Sequence, residues 1–559
     1  MMKKKSGIKK LQQTGAELLV KCLIAHGVKY IFGIPGAAVM PIMEVLRRDE
    51  KLRGTPKFIL CRHEQNAAFM AGAWGRITET PGVCIATAGP GATNLVTGVA
   101  TANADRDPMI AITGETPRAE HFKKTHQTIR TATLFRTIAK WSEEIQDGSA
   151  IPEAVSSAFR MATLPHEGAT HLTIPIDVQT AQAKGSPLTH TPLSFGKAST
   201  ESLQQAGELL THAKHPVMLL GFSATHALTT QAIRRFLLSH SMPVIGTFEA
   251  AGAISRSLLH LFVGRVGMKA EEPGDIALRN ADLILTVGFD PIEYHPSYWH
   301  TNNTQIIHID EIPCEPATLY QPATELVGDT AKNLDALSER ITQSYSFHQS
   351  AKKAQNILFK DMHYASTGST VHPLAFINTL RECVDDTTTV CVDVGAHQVW
   401  MAKHFFSYEP RHLLFSMGFQ TMGVSLPWAI SAALARPKTH IVSLSGDGSF
   451  MMSATELETA VRLKLPITHI IWRDNSYNLV KIQQQEKYKK EFGVSFGNPD
   501  FVKFSQSFGA HAFRITQASH MRSVIKKALA IKTPTIIDVA IDYRKNLSLL
   551  RPSELLSIS

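Results

Sequence analysis

The chain has 559 residues, of which 44% are hydrophobic and 19% are charged, so it has room for three domains of ordinary size and a composition that excludes wholesale disorder. No run of about 18 apolar residues predicts a membrane span, and the N-terminal stretch lacks the apolar segment of a signal peptide. Five lysines among the first ten residues contribute to the net charge of +9, and without a zinc-finger or RNA-binding motif they indicate a solubilising tail rather than nucleic-acid binding.

Six cysteines are scattered along the chain without a CxxC pair. This pattern argues for free thiols rather than for disulfides or a zinc site. Because free thiols persist in a reducing compartment, we expect a cytoplasmic protein.

Strand-like and helix-like runs alternate along the chain in three blocks. We expect a first domain over residues 12–185, a central domain over 195–345 and a third domain over 370–545, separated by polar stretches. Such alternation predicts parallel sheets. The predicted fold class is therefore α/β, with three doubly wound parallel-sheet domains.

The first block carries an acid at a strand–helix junction. "KFILC" is typical of a strand and "RHEQNAAFMAGAWGRITE" of a helix, and Glu64 lies where they join. By periodicity alone, this position is typical of a solvated carboxylate stabilised by the helix dipole. The next strand, in "GVCIATAGPGATN", ends in a glycine loop with Asn94 where a dinucleotide fingerprint has its third glycine, so the loop does not match that fingerprint.

The third block contains "SLSGDGSFMM", in which Asp447 stands between two glycines. Taken alone, Asp-Gly favours a hairpin turn. The surroundings favour a βαβ unit instead: the strand "THIVSLSGD", a helix in "SATELETAVRLK" with a predicted capping box from Ser453 to Glu456, and a second strand that ends at Asp474. The crossover makes the two strands parallel, so both aspartates lie at the strands' carboxyl ends.

Ligands bind at that edge of an open α/β sheet. Two carboxylates there would repel each other unless a cation lay between them. Oxygen ligands beside a glycine loop suit Mg²⁺ bound to a phosphate group. The sequence therefore predicts a magnesium–phosphate site.

Several motifs together resemble one family. The stretches "IFGIPGAA", "RHEQNAAFMAGAWGR", "ATAGPGATN", "KTHQT", "GFQTMGVSLPWAI" and "GDGSF…WRDNS" resemble the thiamine-diphosphate-dependent acetolactate synthases, and among them the catabolic, FAD-independent branch. The similarity runs in register over almost the whole chain. It implies a pyrimidine-binding domain, a central domain and a diphosphate-binding domain, in that order.

The resemblance also implies the residues that hold the cofactors. Mg²⁺ would be bound by Asp447, Asp474 and the carbonyl of Ser476, with diphosphate oxygens and a water completing six positions. Relatives often carry Asn in place of Asp474, and Asp keeps the ligating oxygen. Contacts to thiamine diphosphate are implied for Glu64, Pro90, Asn94, Gly395, Ala396, His397, Gly418, Gln420, Met422, Gly446, Gly448, Ser449 and Tyr477. Many anabolic relatives have Gln in place of Ala396, so the side-chain contact of that Gln is not expected here.

The resemblance further implies a reaction in which pyruvate is decarboxylated and joined to a second pyruvate, giving 2-acetolactate and CO₂. Glu64 would bind the pyrimidine ring nitrogen and favour the imino form of the cofactor. Met422 would support the bent cofactor, Gln127 would face the substrates, and the Gly36 loop would approach the reactive carbon through its backbone. Each of the last three also has an ordinary interpretation: core packing, a polar surface residue and a turn.

Two departures from the family pattern bear on the branch. Gln483 stands where the acetohydroxyacid synthases of branched-chain biosynthesis carry a Trp that is associated with 2-ketobutyrate as acceptor, so we expect pyruvate in both roles. In "TVGFDPIEY", Phe289 and Pro291 replace residues of the Arg-Phe-Asp-Asp pattern found in FAD-binding relatives, so FAD is not expected.

Three alternatives stay open: an FAD-containing acetohydroxyacid synthase catalytic subunit, another thiamine-diphosphate enzyme such as a pyruvate oxidase or decarboxylase, and a non-catalytic relative. The preferred hypothesis is a synthase that feeds acetoin or butanediol formation. The resemblance implies a homodimer or homotetramer with active sites at the dimer interface. Neither a nucleic acid nor a membrane is expected as a partner.

Overall fold

The computed structural model describes residues 13–191, 193–268, 272–300, 304–315, 317–366 and 369–544. The lysine-rich N-terminal stretch and both outer limits of the predicted domains, residues 12 and 545, lie outside these ranges. The chain divides at residues 192 and 193 into two compact units. No helix within the described ranges has the length and apolarity needed to cross a bilayer. All six cysteines are free thiols.

The first unit is built around a parallel sheet. Its strands are β1 (Gln13–Thr14), β2 (Tyr30–Gly33), β3 (Lys57–Leu60), β4 (Gly82–Ala86), β5 (Met109–Glu115), β6 (Trp141–Glu144), β7 (Ala169–Pro175) and β8 (Gln182–Ala183). Its α-helices are α1 (Gly15–Ala25), α2 (Met40–Arg48), α3 (Glu64–Thr78), α4 (Pro90–Asn94), α5 (Val96–Ala104), α6 (Thr131–Phe135), α7 (Ile151–Thr163) and α8 (Ile176–Thr180). The sheet has the order β3-β2-β4-β5-β7-β6 with every pair parallel, and β1 pairs antiparallel with β8.

Small residues let helix α3 lie deep in the first unit. Almost every residue of this alanine-rich helix is buried. A Cβ on Gly75 would stand 2.0 Å from the carbonyl oxygen of Pro108, and one on Gly98 of α5 would stand 2.4 Å from the Ala68 Cβ. Close approach of the backbones therefore fixes the position of α3, and Glu64 is the first residue of this helix.

The second unit contains two parallel sheets, of which the central one comes first. Its strands are β9 (Pro216–Leu220), β10 (Val244–Thr247), β11 (Phe262–Val266), β12 (Leu283–Val287), β13 (Gln305–Asp310) and β14 (Thr324–Val327). Its helices are α9 (Thr200–His212), α10 (Ala227–His240), α11 (Pro273–Arg279), α12 (Thr330–Ser338) and α13 (Gln349–Asp361). The order is β11-β10-β9-β12-β13-β14. Counted along the chain this is 3-2-1-4-5-6, the order of dinucleotide-binding sheets.

The last sheet comprises β15 (Thr389–Val392), β16 (Leu413–Leu414), β17 (Ile441–Gly446), β18 (Ile467–Arg473), β19 (His511–Ile515) and β20 (Thr535–Ala540). Its helices are α14 (Pro373–Cys383), α15 (Ala396–His404), α16 (Ser425–Ala435), α17 (Asp447–Ser453), α18 (Glu456–Arg462), α19 (Asn478–Tyr488), α20 (Phe501–Ser507) and α21 (Met521–Ala530). The order is β16-β15-β17-β18-β20-β19. Counted along the chain, the first and last sheets share the order 2-1-3-4-6-5.

Parallel strands covered on both faces explain the apolar runs in the sequence. Along β9, Met218 and Leu220 join the core on one face of the sheet, while Val217 and Leu219 join the core on the other. The predicted α/β class with three doubly wound parallel sheets is confirmed.

The predicted βαβ unit around Asp447 is present, but its helix begins elsewhere. Strands β17 and β18 are parallel, with Ile441 opposite Ile467, so the hairpin interpretation is wrong. The capping box is also wrong. Ser453 is the last residue of α17, which begins at Asp447, and α18 begins at Glu456 without a side-chain cap. The Glu456 carboxylate accepts a 2.6 Å hydrogen bond from the Thr459 hydroxyl.

Candidate active site

Glu64 is a buried carboxylate at the carboxyl edge of the first sheet. It is the first residue of α3, which follows β3 after a short turn, and its exposed fraction is 9%. Asn94 Nδ2 donates a 3.0 Å hydrogen bond to Glu64 Oε2. The interpretation as a solvated helix-end carboxylate is therefore wrong.

The glycine loop after β4 packs against the segment that carries Gln127. Gly89 has a φ of +56°, and a Cβ there would stand 2.9 Å from the Cα of Gln127. Gln127 has a φ of 62° and is exposed. Pro90 is an exposed residue at the start of α4. Glycine at position 89 thus lets the Gln127 segment cross directly over the loop.

Thr87, which the sequence analysis missed, is packed between two other glycines of this edge. A Cβ on Gly36 would stand 2.5 Å from the Thr87 Cβ, and one on Gly91 would stand 2.8 Å from its Cγ2 and 3.5 Å from Glu64 Oε1. The Thr87 hydroxyl accepts a hydrogen bond from the Ala38 N–H at 3.2 Å. The residues predicted from the first block therefore gather at one sheet edge.

The second unit has a cavity of about 450 Å³ at the carboxyl edge of its last sheet. It opens where β15 and β17 end, which is the point at which the strand order of that sheet reverses and where such sheets bind ligands. Most of the residues predicted from the third block line it, namely Gly395, Ala396, His397, Met422, Gly446, Asp447, Gly448, Ser449, Asp474, Ser476 and Tyr477.

The carboxylate of Asp447 is fixed by donors from several parts of the chain. Its Oδ2 accepts from the backbone N–H groups of Asp474 (3.1 Å) and Asn475 (2.6 Å) and from Asn498 Nδ2 (2.8 Å), and its Oδ1 accepts from the Gly448 N–H (3.0 Å). These bonds join the ends of β17 and β18. Asp447 is 1% exposed.

Asp474 is held by side chains close to it in sequence. Its Oδ2 accepts from Ser476 Oγ at 2.7 Å and from Asn478 Nδ2 at 2.6 Å. Burial, together with the nearby charge of Asp447, raises the pKa of Asp474 to about 6. Burial also raises the pKa of Asp447, although its hydrogen bonds oppose that shift. A positive charge beside the two acids would favour their ionised forms and so offset this shift.

The residues present fit Mg²⁺ held together with a phosphate group. The side chains at the edge offer oxygen from Asp447 and Asp474, and Mg²⁺ prefers oxygen. No cluster of three or more His, Cys, Asp and Glu side chains able to hold a metal occurs among the described residues. A cation here would need further oxygens from a bound ligand, as Mg²⁺ in phosphate sites does.

His397 is a neutral ring that braces the two glycine turns of this edge. Its Nε2 accepts a hydrogen bond from the Gly446 N–H at 3.2 Å. Burial lowers its pKa to about 3. A Cβ on Gly395, whose φ is +152°, would stand 2.6 Å from the His397 ring. Glycine at position 395 therefore allows the ring to sit against the turn after β15.

Gly448 leaves space under an aromatic pair. Tyr477 and Phe496 pack with their ring centroids 4.8 Å apart. A Cβ on Gly448 would stand 2.6 Å from the Tyr477 ring and 2.9 Å from the Phe496 ring. The neighbouring Ser449 is buried, and its hydroxyl donates to the Gly446 carbonyl at 3.2 Å.

Met422 lines the cavity and is half-buried, so its interpretation as core packing is wrong. Two other predicted residues of the same loop do not line the cavity. Gly418 is half-buried, and Gln420 is exposed with a φ of 53°. Gln483 is an exposed residue of α19. It lies one turn beyond Leu479 and Val480, which do line the cavity.

The cavity also has residues that the sequence analysis missed: Val394, Met452, Trp472, Asn478, Leu479, Val480 and Tyr543. Asn478 follows the predicted ligand Ser476 by two positions, so its proximity was available from the sequence. Asn498 and Tyr543 come from distant parts of the chain, and no local signal marked them.

Three family descriptions match the chain. They are those of the thiamine pyrophosphate enzymes: the N-terminal TPP binding domain over residues 13–134, the central domain over 203–337 and the C-terminal TPP binding domain over 393–539.

Curated relatives match almost end to end. An acetolactate synthase of Bacillus subtilis (strain 168) is 42% identical over 551 residues, which cover 96% of this chain and 95% of the relative. A catabolic acetolactate synthase of Raoultella terrigena is 37% identical, with 95% and 96% covered. The large subunit of acetolactate synthase isozyme 2 of Escherichia coli (strain K12) is 31% identical, with 96% and 97% covered. The chain therefore belongs to the acetolactate synthase family of thiamine-diphosphate-dependent enzymes.

Proposed function

We propose that this protein is a catabolic acetolactate synthase that uses pyruvate as both donor and acceptor and works without FAD. Its products are 2-acetolactate and CO₂, and 2-acetolactate supplies acetoin or butanediol formation. The observation that carries the proposal is the cavity in which Asp447 and Asp474 face a glycine-rich edge.

Thiamine diphosphate, when bound, supplies a carbon nucleophile and stabilises the electron pair left by the departing CO₂. Asp447, Asp474 and the Ser476 carbonyl would hold Mg²⁺ and, through it, the diphosphate. The backbone at Gly395 and Gly448 has no side chain to keep a phosphate away. Tyr477 and Met422 supply the apolar side of the same cavity.

Glu64 is suited to act on a ring nitrogen of the cofactor. It is buried, and Asn94 fixes its carboxylate by donating to Oε2. A carboxylate held in this way accepts a hydrogen bond from a protonated ring nitrogen and favours the tautomer that can take up a proton. We assign Glu64 this positioning of a proton, and Gln127 and the Gly36 loop contacts to the substrates.

Two observations support the catabolic assignment. The relatives named acetolactate synthase and catabolic acetolactate synthase are 42% and 37% identical, whereas the relative named as a large subunit is 31% identical. The second is that the family resemblance assigns Gln483 to the position at which biosynthetic members carry a Trp. The alternative is an FAD-containing acetohydroxyacid synthase catalytic subunit of branched-chain amino acid biosynthesis.

We also propose a cytoplasmic homodimer or homotetramer. The six free cysteines support a reducing compartment. A closed dimer with two equivalent sites would bring Glu64 of one copy to the metal ligands of another.

The test is incubation of the purified protein with pyruvate, Mg²⁺ and thiamine diphosphate, with and without FAD. The product is converted to acetoin by acid and quantified. We expect equal product in both arms. Product that requires FAD would support the biosynthetic alternative, and acetate or acetaldehyde in place of acetolactate would identify another thiamine-diphosphate enzyme.

A competition arm separates the acceptors. With pyruvate and 2-ketobutyrate together we expect acetolactate to dominate, and Gln483→Trp to shift the product toward acetohydroxybutyrate. An unchanged product ratio in the variant would remove Gln483 from the acceptor pocket.

A further inference from the structure

The central sheet has the strand order of dinucleotide-binding sheets. Its order reverses between β9 and β12, because the chain winds from β9 to β11 on one side and from β12 to β14 on the other. Open α/β sheets bind nucleotides in the crevice at the carboxyl ends of the two strands at such a point. In this chain the crevice lies between Gly221, which follows β9, and Gly288, which follows β12.

A side chain of the protein itself occupies this crevice. Glu293 is 5% exposed, and both of its carboxylate oxygens accept hydrogen bonds from the Phe222 N–H, at 3.0 and 2.9 Å. The Thr247 hydroxyl donates to Oε2 at 2.6 Å, and the Asp290 N–H donates to Oε1 at 3.1 Å. The donors come from the ends of three neighbouring strands, β9, β10 and β12.

The backbone closes around the carboxylate. The Gly221 N–H donates to the Val287 carbonyl at 3.0 Å, and the Ser223 N–H donates to the Gly288 carbonyl at 3.1 Å. A Cβ on Gly221 would stand 2.6 Å from Glu293 Oε1. The same Cβ would stand 2.3 Å from the Gly288 carbonyl oxygen, so the two glycine turns and the carboxylate pack closely together.

This environment is one that suits a phosphate. Phosphate-binding turns present backbone N–H groups and hydroxyls to an anion where the backbone approaches closely through glycine. A carboxylate is also an anion that accepts several hydrogen bonds.

We propose that Glu293 is the built-in occupant of the nucleotide crevice of the central domain: its carboxylate takes the place of a dinucleotide phosphate and denies the crevice to such ligands. The acid lies in the stretch that also holds Phe289 and Pro291, so one short segment closes the site. This inference rests on the part of the proposed function that excludes FAD, and it names the residue responsible, but it does not depend on which keto acids the enzyme uses.

The test uses three forms of the full-length protein besides wild type: Glu293→Gln, Glu293→Ala and, as a matched control, Glu339→Gln, which removes an exposed acid of the same domain. The first measurement is hydrogen exchange of the peptides that contain the amides of Phe222 and Asp290. Because a hydrogen bond to a charged acceptor is stronger by about 1 kcal/mol than one to a neutral acceptor, we expect exchange roughly 5- to 10-fold faster in Glu293→Gln and unchanged exchange in the control. Unchanged exchange in Glu293→Gln would overturn the proposal.

The second measurement is chemical rescue. In Glu293→Ala the donors face a hole of carboxylate size, so acetate is expected to raise the thermal unfolding midpoint saturably, with no such effect on wild type or on Glu339→Gln. A folded Glu293→Ala protein whose thermal unfolding midpoint did not change with acetate would contradict the proposal. Should this variant fail to fold, the exchange measurement on Glu293→Gln decides.

The third measurement needs no variant. Wild type is titrated with FAD, and flavin fluorescence and exchange of the same peptides are followed. We expect neither saturable quenching nor protection. Stoichiometric FAD binding that protects these peptides would show that the crevice is open to a dinucleotide and would overturn the proposal. None of the readouts uses turnover, so failure of the proposed synthase activity would leave them interpretable.

Discussion

Asp447 illustrates how a single side chain can organise the site before any cation binds. Three of its four hydrogen bonds come from backbone N–H groups at the ends of β17 and β18, and the fourth comes from Asn498. Asn498 Nδ2 also donates to Asn475 Oδ1 at 2.8 Å. A ligand fixed by such outer contacts loses no further freedom when it binds a metal, which is how outer-shell partners raise metal affinity.

Asn498→Ala should therefore weaken Mg²⁺ binding without removing a ligand. We expect a loss of roughly 10- to 100-fold in the Mg²⁺ affinity of the thiamine-diphosphate complex. The reason is that the Asp447 carboxylate loses one hydrogen-bond donor and the Asn475 side chain loses its hydrogen bond from Asn498. Calorimetric titration of Mg²⁺ measures the change. Gln506→Ala, an exposed amide in α20, is the control and should bind Mg²⁺ like wild type. Equal affinities in the two variants would leave Asn498 without a role in the site.

The pKa of Asp474 predicts a pH dependence of metal binding. Since a proton and Mg²⁺ compete for the carboxylate, the Mg²⁺ affinity should fall up to about tenfold per unit as the pH drops below 6. Asp474→Asn keeps a ligating oxygen but removes the titrating group at this position and leaves only Asp447, so its affinity should vary less between about pH 5 and 7. If the Mg²⁺ affinities of wild type and Asp474→Asn changed with pH in the same way, the titration would belong to another group.

The same pKa has a consequence for the stability of the metal-free protein. The folded state binds the Asp474 proton more tightly than the unfolded chain does, because aspartates in an unfolded chain have a pKa of about 4. Protonation of Asp474 therefore adds to the free energy of unfolding in full below about pH 4, and this stabilisation is lost as the pH rises through about 6. Denaturant unfolding of metal-free wild type and metal-free Asp474→Asn across that pH range measures the effect. The stability of the variant should not fall in this way.

At the scale of elements, Asp393 links β15 to the loop that carries Met422. It follows β15 and is fully buried, which raises the pKa of its carboxyl. Its Oδ1 accepts from the N–H groups of Val394 (2.9 Å) and Gly423 (2.8 Å), and its Oδ2 accepts from that of Ser425 (3.0 Å). The carboxylate thereby fixes both the turn to Gly395 and the start of α16, so the two sides of the cavity keep their spacing.

Asp393→Asn should loosen this link while the fold persists. The amide has only one acceptor oxygen, so at least one buried N–H loses its partner, at a cost of about 1–3 kcal/mol. We expect kcat at saturating Mg²⁺ and thiamine diphosphate to fall roughly 10- to 100-fold, because a misplaced loop degrades the geometry of the reacting groups. Glu382→Gln, which removes an exposed acid of α14, is the control. A variant with normal kcat and only lower stability would reduce Asp393 to a structural role.

For the whole molecule, the sequence predicted the class of the fold and less of its topology. Apolar runs and glycine turns identified β17 and β18 because a buried parallel strand has no polar alternation. The order of strands within a sheet was not predictable from such runs, since it depends on where each helix crosses over. For this reason the 2-1-3-4-6-5 order common to the first and last sheets became visible only in the structure.

The candidate site was predictable where its residues are adjacent in sequence. Asp447, Gly448 and Asp474 stand directly at strand ends, so a local pattern was enough to place them. Asn498 reaches Asp447 across 51 positions, and only tertiary packing brings the two side chains together. The capping box failed for a related reason: Ser453 and Glu456 have the required spacing, but α17 had already begun at Asp447.

The two halves of the predicted chemistry come from different domains, and their assembly can be tested by mixing lesions. Glu64→Gln should keep the cofactor but lose turnover, because Gln cannot favour the required tautomer, and Asp447→Ala should lose Mg²⁺ and the cofactor. If one active site takes Glu64 from one subunit and Asp447 from another, a mixed dimer has one site with both lesions and one with neither.

Co-expression of the two variants with different affinity tags, followed by purification on both tags, should give dimers with about half the wild-type activity. Each variant purified alone should be nearly inactive, and a mixed preparation without tag selection should reach about a quarter, since random pairing makes half of the dimers mixed. Verified mixed dimers without activity would mean that each site takes both residues from one subunit.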